Sequence, residues 1–339
     1  MNKMNKKIEI QIKREKVKDE IRSFLKKRKF LEVETPLVVK DISPEPYINP
    51  LSLEFYGEKN NKHKGYLITS PEYSLKKLLS FGFENIFEIT KAFRQKEFFG
   101  GLHNPEFTIL EWYRTKADYK AIMKDIEELV FTLNKKINKN RLLTYQGIKI
   151  DLTPPWLKIS IKKAFQKYAK VNLDKIRETK KFRNALEKKG YKFLKNCHWN
   201  DFFYLVFLNE IEPKLPKNLP VILYDYPLYQ AALAKRKSKN SFYAERFEVF
   251  IAGMEIANAF SELTDWKEQL KRLKEDQKLR KKLNKEFVVI DKKFIEALKS
   301  GIPESAGIAV GIDRLEMLIL DIKDINDLLL FPAKEIFLP

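Results

Sequence analysis

The sequence predicts an α+β fold: an antiparallel β-sheet flanked by helices. Two observations carry this. Strand-like segments follow one another through short connections at 86–97 and 106–114, and again at 220–226 and 245–264, and such connections favour antiparallel pairing. Segments with helical apolar spacing precede, separate and follow them. Length and composition agree. The chain has 339 residues, 44% hydrophobic and 13% aromatic, enough to bury a sizeable core and too apolar for disorder. No run of about 18 apolar residues occurs, which excludes a membrane-spanning helix. The basic start is followed by Ile8-Glu9-Ile10-Gln11-Ile12-Lys13, which alternates instead of forming an apolar signal core. A cytoplasmic location is expected.

The elements can be justified in order. Ile10, Val17, Ile21, Phe24 and Leu25 recur at helical spacing and predict a helix over 8–29. Phe30 to Glu34 reads as extended and Pro36 closes it. Turn-prone clusters make 41–65 a loop and hairpin, and Tyr66–Thr69 a short strand. Ser70 can cap a helix that starts at Pro71 and runs to about Phe81. Gly100-Gly101 supplies a turn between the strands 86–97 and 106–114. Tyr119, Ile122, Ile126, Leu129 and Leu133 share one face of a helix over 118–137. A strand is expected at 147–152, and short helices over about 155–218. The charged stretch 265–284 reads as a solvated helix. Residues 307–312 form a Gly-punctuated strand that runs into a helix ending near Leu320.

Several kinds of chemistry are excluded. A single cysteine, Cys197, rules out an internal disulfide and a Cys-rich zinc site. The three histidines, His63, His103 and His198, have no metal-ligand spacing. Neither GxxxxGK[ST] nor GxGxxG occurs, so a nucleotide is not held by a P-loop or a dinucleotide fingerprint. The formal net charge of +20 suggests a nucleic acid or an acidic protein as partner. The excess is carried by 53 Lys against 13 Arg, as A/T-rich coding would also produce, so the charge has two readings.

Three segments carry the candidate chemistry. The first is FLEVETPL, Phe30 to Leu37, after the long helix. The second joins Phe93-Arg94-Gln95-Lys96-Glu97 to His103-Asn104-Pro105-Glu106-Phe107-Thr108 and Glu111-Trp112-Tyr113. Its return strand alternates Phe107, Ile109, Glu111 and Tyr113 on one side, which sets a carboxylate in an aromatic pocket suited to a ligand cation. The third is Gly307-Ile308-Ala309-Val310-Gly311-Ile312-Asp313-Arg314, a strand-to-helix turn with glycines and an arginine, which suits a nucleoside triphosphate.

In this order the three segments resemble motifs 1, 2 and 3 of the class II aminoacyl-tRNA synthetases. Within that class, FRQKE…HNPEFTILEWY, FEVFIAGMEIANAFSELTD and GIAVGIDRL are most similar to the lysyl-tRNA synthetase subgroup. The likeness covers about 20–135 and 220–330. It implies the class II catalytic core, with motif 1 at a homodimer interface. It implies ATP and Mg²⁺, and chemistry in two steps: an amino-acid carboxylate attacks the α-phosphate, and an acceptor then attacks the acyl-adenylate. No counterpart of the OB-fold anticodon domain of lysyl-tRNA synthetases precedes motif 1. Residues 1–339 are therefore expected to form a single catalytic domain, with a mostly helical insertion at about 155–218. That arrangement, SPEY at Ser70–Tyr73, HNPEFTILEWYR and EIANAFSELTD resemble the elongation factor P–lysine ligases, which attach (R)-β-lysine to a lysine side chain of elongation factor P.

The resemblance implies roles for particular residues. Arg94 would hold the α-phosphate and Arg314 the γ-phosphate, as the catalytic pair. Phe107 would stack on adenine and Glu97 accept from its amino group, although the spacing leaves open whether Lys96 or Glu97 faces the nucleotide. His103 and Asn104 would line the phosphate and ribose side, Gly311 would let the nucleotide lie against backbone, and Val249 would lie with it. Glu248 and Glu255 would hold Mg²⁺. Their odd spacing requires a bend near Gly253. Glu111 and Glu262 would face the substrate's side-chain ammonium, with Tyr113 and Asn258 orienting it. Ser70, Glu72 and Glu255 would complete the substrate site. Ala257 and Ala309 replace glycines of lysyl-tRNA synthetases and match the elongation factor P ligases, which points to (R)-β-lysine over L-lysine. The expected function is thus activation of (R)-β-lysine and its transfer to elongation factor P. The alternative is a minimal lysyl-tRNA synthetase acting on L-lysine and tRNA, and a non-catalytic binding protein ranks third.

Overall fold

The computed structural model describes residues 3–338. Helix α1 (Lys3–Lys27) leads into the two-residue strands β1 (Leu31–Glu32) and β2 (Val38–Val39) and the hairpin β3 (Ser52–Tyr56) and β4 (Lys62–Leu67). Helix α2 (Glu72–Ser80) precedes the long hairpin β5 (Ile86–Phe93) and β6 (Glu106–Thr115), and α3 (Tyr119–Ile137) follows. A small hairpin, β7 (Leu142–Tyr145) and β8 (Ile148–Asp151), leads to β9 (Leu157–Ser160) and the helices α4 (Ile161–Ala164), α5 (Thr179–Glu187) and α6 (Trp199–Val206). Strand β10 (Val221–Tyr224) and the hairpin β11 (Arg246–Ile251) and β12 (Met254–Ser261) come next, then α7 (Trp266–Lys282) and α8 (Lys292–Gly301). Strand β13 (Ser305–Gly311) runs directly into α9 (Ile312–Ile319), and the short helices α10 (Ile325–Leu328) and α11 (Ala333–Phe337) end the described chain.

One eight-stranded sheet organises the molecule, in the order β1-β5-β6-β13-β12-β11-β10-β9. Its interior pairs are antiparallel, and short connections join two of them, β5–β6 and β11–β12. Both edges differ: β1 lies parallel to β5, and β9 parallel to β10. A parallel pair needs a crossover connection, and each edge has one, through β2–β4 and α2 at one side and through α4–α6 at the other. The stretch read as a mostly helical insertion therefore opens with a sheet strand. Leu157–Ser160 is four residues long with only Ile159 buried, too short to show an alternation. The hairpin β7–β8 was anticipated only in its second strand, and α8 was not anticipated.

The two faces of the sheet do different work. Helices α1, α3 and α9 cover one face, and Ile21, Leu25, Phe87, Trp112, Ile126, Val249, Ile308 and Leu315 pack there as a continuous core. Asp118 starts α3 by accepting from the backbone N–H groups of Lys120 and Ala121. The α4–α6 region has its own aromatic core of Phe165, Phe182, Trp199, Phe202 and Phe203 beside β10. The opposite face of the central strands stays open. Helix α7, expected as a solvated face, turns two arginines inward. Arg272 donates to the carbonyls of Ala231 and Ala234, and Arg280 to those of Glu45, Ile48 and Glu286. The buried Arg280 guanidinium thus ties down the loop 41–50 that walls the open face, while Arg272 ties down the segment 231–234.

Candidate active site

A cavity of about 490 Å³ occupies the open face. Strand alternation decides which side chains enter it. On β6, Phe107, Ile109, Glu111 and Tyr113 face the cavity, while Leu110 and Trp112 point into the core. Pairing carries that face across the sheet: Glu111 lies opposite Ala309, Ala309 opposite Asn258, and Asn258 opposite Glu248. The row runs over four strands and sets two carboxylates at its ends.

Glu255 joins the same face through an irregularity. The β11–β12 hairpin turns at Ala252 and Gly253, both with positive φ, as a tight two-residue turn requires. Register then shifts: Val249 pairs with Ala257 but Phe250 with Glu255, leaving Ile256 as the extra residue of a bulge. The bulge places Glu255 opposite Phe250, on the face that also carries Glu248. The expected bend near Gly253 is thus a turn together with a bulge at Ile256, three residues later.

The amino-acid end of the cavity is acidic and buried. The Ser70 hydroxyl donates to Glu111 Oε1 at 2.5 Å and the Tyr113 hydroxyl to Oε2 at 3.1 Å. Ser70 also accepts from the N–H of Glu72 at the start of α2, so one hydroxyl joins the helix to the carboxylate. Burial, and then the charge of Glu72, pushes the Glu111 carboxyl up to about 8. The Tyr113 ring lies against Gly307, where a Cβ would sit 2.4 Å from Cε1. Only glycine leaves room there.

The opposite end is rich in arginine and half-open. Arg94 follows β5 and stands over the Phe107 ring, 5.0 Å from its centroid, and its Nε has no protein partner. Arg314, in the first turn of α9, donates from Nη1 to the Glu255 carbonyl at 2.9 Å, and its Nη2 lies 3.1 Å from His103 Nε2. Burial and then the Arg314 charge lower the His103 pKa, so the neutral ring can accept. Below α9, Asp313 accepts from Arg14 at 2.7 Å and from the Thr108 N–H at 2.6 Å, which sets the start of the helix against β6.

Between the two ends, Glu248 is nearly enclosed. Tyr226 donates to one oxygen and Arg246 to the other, each at 2.5 Å. Burial pushes its carboxyl up to about 7, with Arg246 pulling it down and Glu255 pushing it up. Glu212, from the α6 region, is raised by burial and then by Glu255. Carboxylates that repel one another are a set of hard oxygen donors suited to Mg²⁺. Among the described residues no group of three His, Cys, Asp or Glu side chains could hold a metal ion by itself.

Most sequence-predicted positions line this one cavity: Ser70, Glu72, Arg94, Glu97, His103, Asn104, Phe107, Glu111, Tyr113, Glu248, Glu255, Ala257, Asn258, Ala309, Gly311 and Arg314. Several are placed otherwise than expected. Val249 is fully buried in the core on the far face, because it alternates with Glu248. Ala257 pairs with Val249 and Val310, so its Cβ belongs to that same core face. Glu262 is not among the residues that line the cavity; its Oε2 is ion-paired with Lys76 at 2.6 Å and its Oε1 has no protein partner. Asn104 uses both ends of its amide on backbone, donating to the Glu106 carbonyl and accepting from Ala333 N–H. Glu97, not Lys96, reaches the cavity wall. Lys96 takes up a left-handed turn with φ 62° and is exposed. Sequence reasoning missed Lys76, Arg246, Tyr226 and Glu212. Lys76 stands four residues after Glu72 on a helix and Arg246 two before Glu248 on a strand, both readable spacings. Tyr226 and Glu212 come from distant segments and left no local signal.

A sheet with this strand order, a motif-2-like hairpin and a strand-to-helix arginine define a class, and the comparisons name it. The profile of the class II tRNA synthetases (D, K and N) matches residues 1–335, and the chain belongs to this family, whose members are ATP-dependent ligases that form aminoacyl-adenylates. Among curated proteins it is similar to the lysine–tRNA ligase of Moorella thermoacetica, 37% identical over 92% of this chain and 63% of that protein. The lysine–tRNA ligases of Thermoanaerobacter pseudethanolicus and Carboxydothermus hydrogenoformans are each 36% identical, over 96% and 95% of this chain and 64% of their own length. The chain thus spans somewhat under two thirds of these relatives. Among the described residues no helix is long and apolar enough to cross a membrane.

Proposed function

We propose that this chain is an AMP-forming ligase that activates lysine with ATP to give lysyl-adenylate and pyrophosphate. The observation that carries the reading is one cavity with two opposed ends: Arg94 and Arg314 at one, and Glu111, held by Ser70 and Tyr113, at the other. The substrate carboxylate attacks the α-phosphate, and the bond to pyrophosphate breaks. The reaction needs little covalent help from protein; it needs alignment and charge neutralisation. Arg94 would meet the α-phosphate and Arg314 the γ-phosphate. Phe107 would stack on adenine with Glu97 beside it, and His103 would line the phosphate side. Glu111 and Glu72 would receive the two ammonium groups of the substrate, with Tyr113 and Asn258 orienting the chain. Glu248 and Glu255 would hold Mg²⁺, which supplies positive charge against the phosphates.

The printed names of the relatives support L-lysine as substrate and tRNA as acceptor. A second reading, (R)-β-lysine carried to a lysine of elongation factor P, draws on the likeness of SPEY, HNPEFTILEWYR and EIANAFSELTD to those ligases. One position also favours it. Ala309 lies between Glu111 and Asn258 on the cavity face, so its methyl shapes the pocket. Ala257 lends it little, since its methyl packs in the core. A cytoplasmic homodimer fits either reading. ATP–pyrophosphate exchange with L-lysine and with (R)-β-lysine tests the first step. Preference for L-lysine, followed by labelling of tRNA, establishes the first reading. Preference for the β isomer, followed by acid-stable labelling of elongation factor P, establishes the second. No exchange with either overturns both.

A further inference from the structure

Lys76 is a lysine buried in a pocket proposed to bind lysine. It lies on α2, and only 3% of its side chain is exposed. Its ammonium is 2.6 Å from Glu72 Oε1 and 2.6 Å from Glu262 Oε2, and 4.9 Å above the Phe260 ring. Burial works against the charge, and the two carboxylates outweigh it, so its pKa is raised. The second oxygen of Glu262 has no partner and points to the space beside Gly307 and Tyr113. Glu72 also lines the cavity, so it links Lys76 and Glu262 to the site.

The charge count gives this arrangement a role. Glu72, Glu111 and Glu262 bring three carboxylates to one small buried region. A substrate with two amino groups brings two positive charges. Uncompensated buried charge is costly, and a mismatch by one would fall on the bound complex. Lys76 supplies the third positive charge. It takes one oxygen of Glu262 and one of Glu72, leaving Glu111 and the second oxygens of Glu72 and Glu262 for the ligand.

We propose that Lys76 is a positioning residue that sets the specificity of the amino-acid site. It acts as an internal ammonium that holds one oxygen each of Glu72 and Glu262 and orients both carboxylates, so that the pocket matches an amino acid with two ammonium groups. The inference rests on the lysine-activating reading above. Lys76 touches neither substrate nor reacting atoms, and it acts through Glu72 and Glu262.

The test is ATP–pyrophosphate exchange by the full chain, with KM measured separately for lysine and ATP. Lys76→Met keeps the length of the side chain and removes its charge. The expected result is a KM for lysine raised about tenfold or more, with the KM for ATP within about twofold of wild type. Lys76→Ala should behave alike, and n-propylamine, which replaces the missing atoms, should restore the KM where n-propanol does not. A lysine KM within about twofold of wild type in both variants overturns the proposal, as does equal rescue by the alcohol. Should the single variants fail to fold, Lys76→Met with Glu262→Gln removes both charges together. That double variant should fold and still show the raised lysine KM through Glu72, and a wild-type KM there overturns the proposal. Wild-type protein that exchanges with no lysine isomer sinks the parent reading instead, so the two failures are told apart.

Discussion

The two ends of the cavity are built on opposite principles. At the amino-acid end the carboxylates are held by neighbouring side chains: Ser70 and Tyr113 hold Glu111, and Lys76 holds one oxygen each of Glu72 and Glu262. At the nucleotide end Arg94 and Arg314 are half-buried, and Arg94 Nε is without a protein partner. The difference follows from what each end must bind. An ammonium on a flexible chain is recognised by a small, dry, pre-shaped acidic pocket, in which an uncharged competitor leaves a buried polar group unpaired. A triphosphate is large and highly charged, and it supplies its own ligand for every guanidinium it meets. Preorganisation therefore concentrates at the amino-acid end, and availability at the other.

The contrast can be broken most severely at the arginines. Arg94→Ala and Arg314→Ala should each lower the rate of pyrophosphate exchange about 10²- to 10³-fold, while thermal unfolding of the free protein hardly changes, because neither side chain is part of the core. A large loss of thermal stability in either variant would mean that these groups are structural.

The acidic end should respond to pH with a definite sign. Glu111 titrates near about 8 in the free protein, so it is mostly protonated at neutral pH. An ammonium beside it favours the carboxylate and draws the pKa down. Lysine binding at pH 7 should therefore release a proton, and affinity should rise as pH climbs toward 8. Calorimetry in two buffers of different ionisation enthalpy reads the proton directly. Glu111→Gln should abolish the release and weaken lysine binding about 10- to 100-fold. Buffer-independent heats in wild type would show that Glu111 is already ionised.

A smaller effect separates the two glycines of the third motif. Gly307→Ala places a methyl 2.4 Å from the Tyr113 ring and should cost about 1–3 kcal/mol of stability, seen as a lower Tm, together with a raised KM for lysine. Gly311 has φ −70° and its nearest neighbour is Arg314 Cβ at 3.8 Å, so Gly311→Ala should leave Tm unchanged and raise only the KM for ATP. The same Tm for both variants would contradict the tight packing assigned to Gly307.

Much of this arrangement was legible in the chain. The alternation Phe107, Ile109, Glu111, Tyr113 fixes one face of β6 by period alone, and both arginines stand at ends of elements. What escaped did so for physical reasons. Val249 and Ala257 were placed by neighbourhood to Glu248 and Asn258, yet strand alternation sends them to the opposite face. Glu262 was assigned to the substrate because nothing in the sequence couples it to Lys76, which comes from a helix 186 residues earlier. Strand β9 is too short to carry a pattern.

The sequence by itself determined most of the helices and strands, the antiparallel hairpins of the sheet and the residue types offered to a nucleotide and a cation. These are local properties, set by period, caps and turns. Only the tertiary structure decided which carboxylates are left available. That depends on long-range pairing: the bulge at Ile256 turns Glu255 toward the cavity, Arg246 and Tyr226 engage Glu248, and Lys76 engages Glu262. Charges from distant segments balance only once the fold has brought them together and removed the water between them.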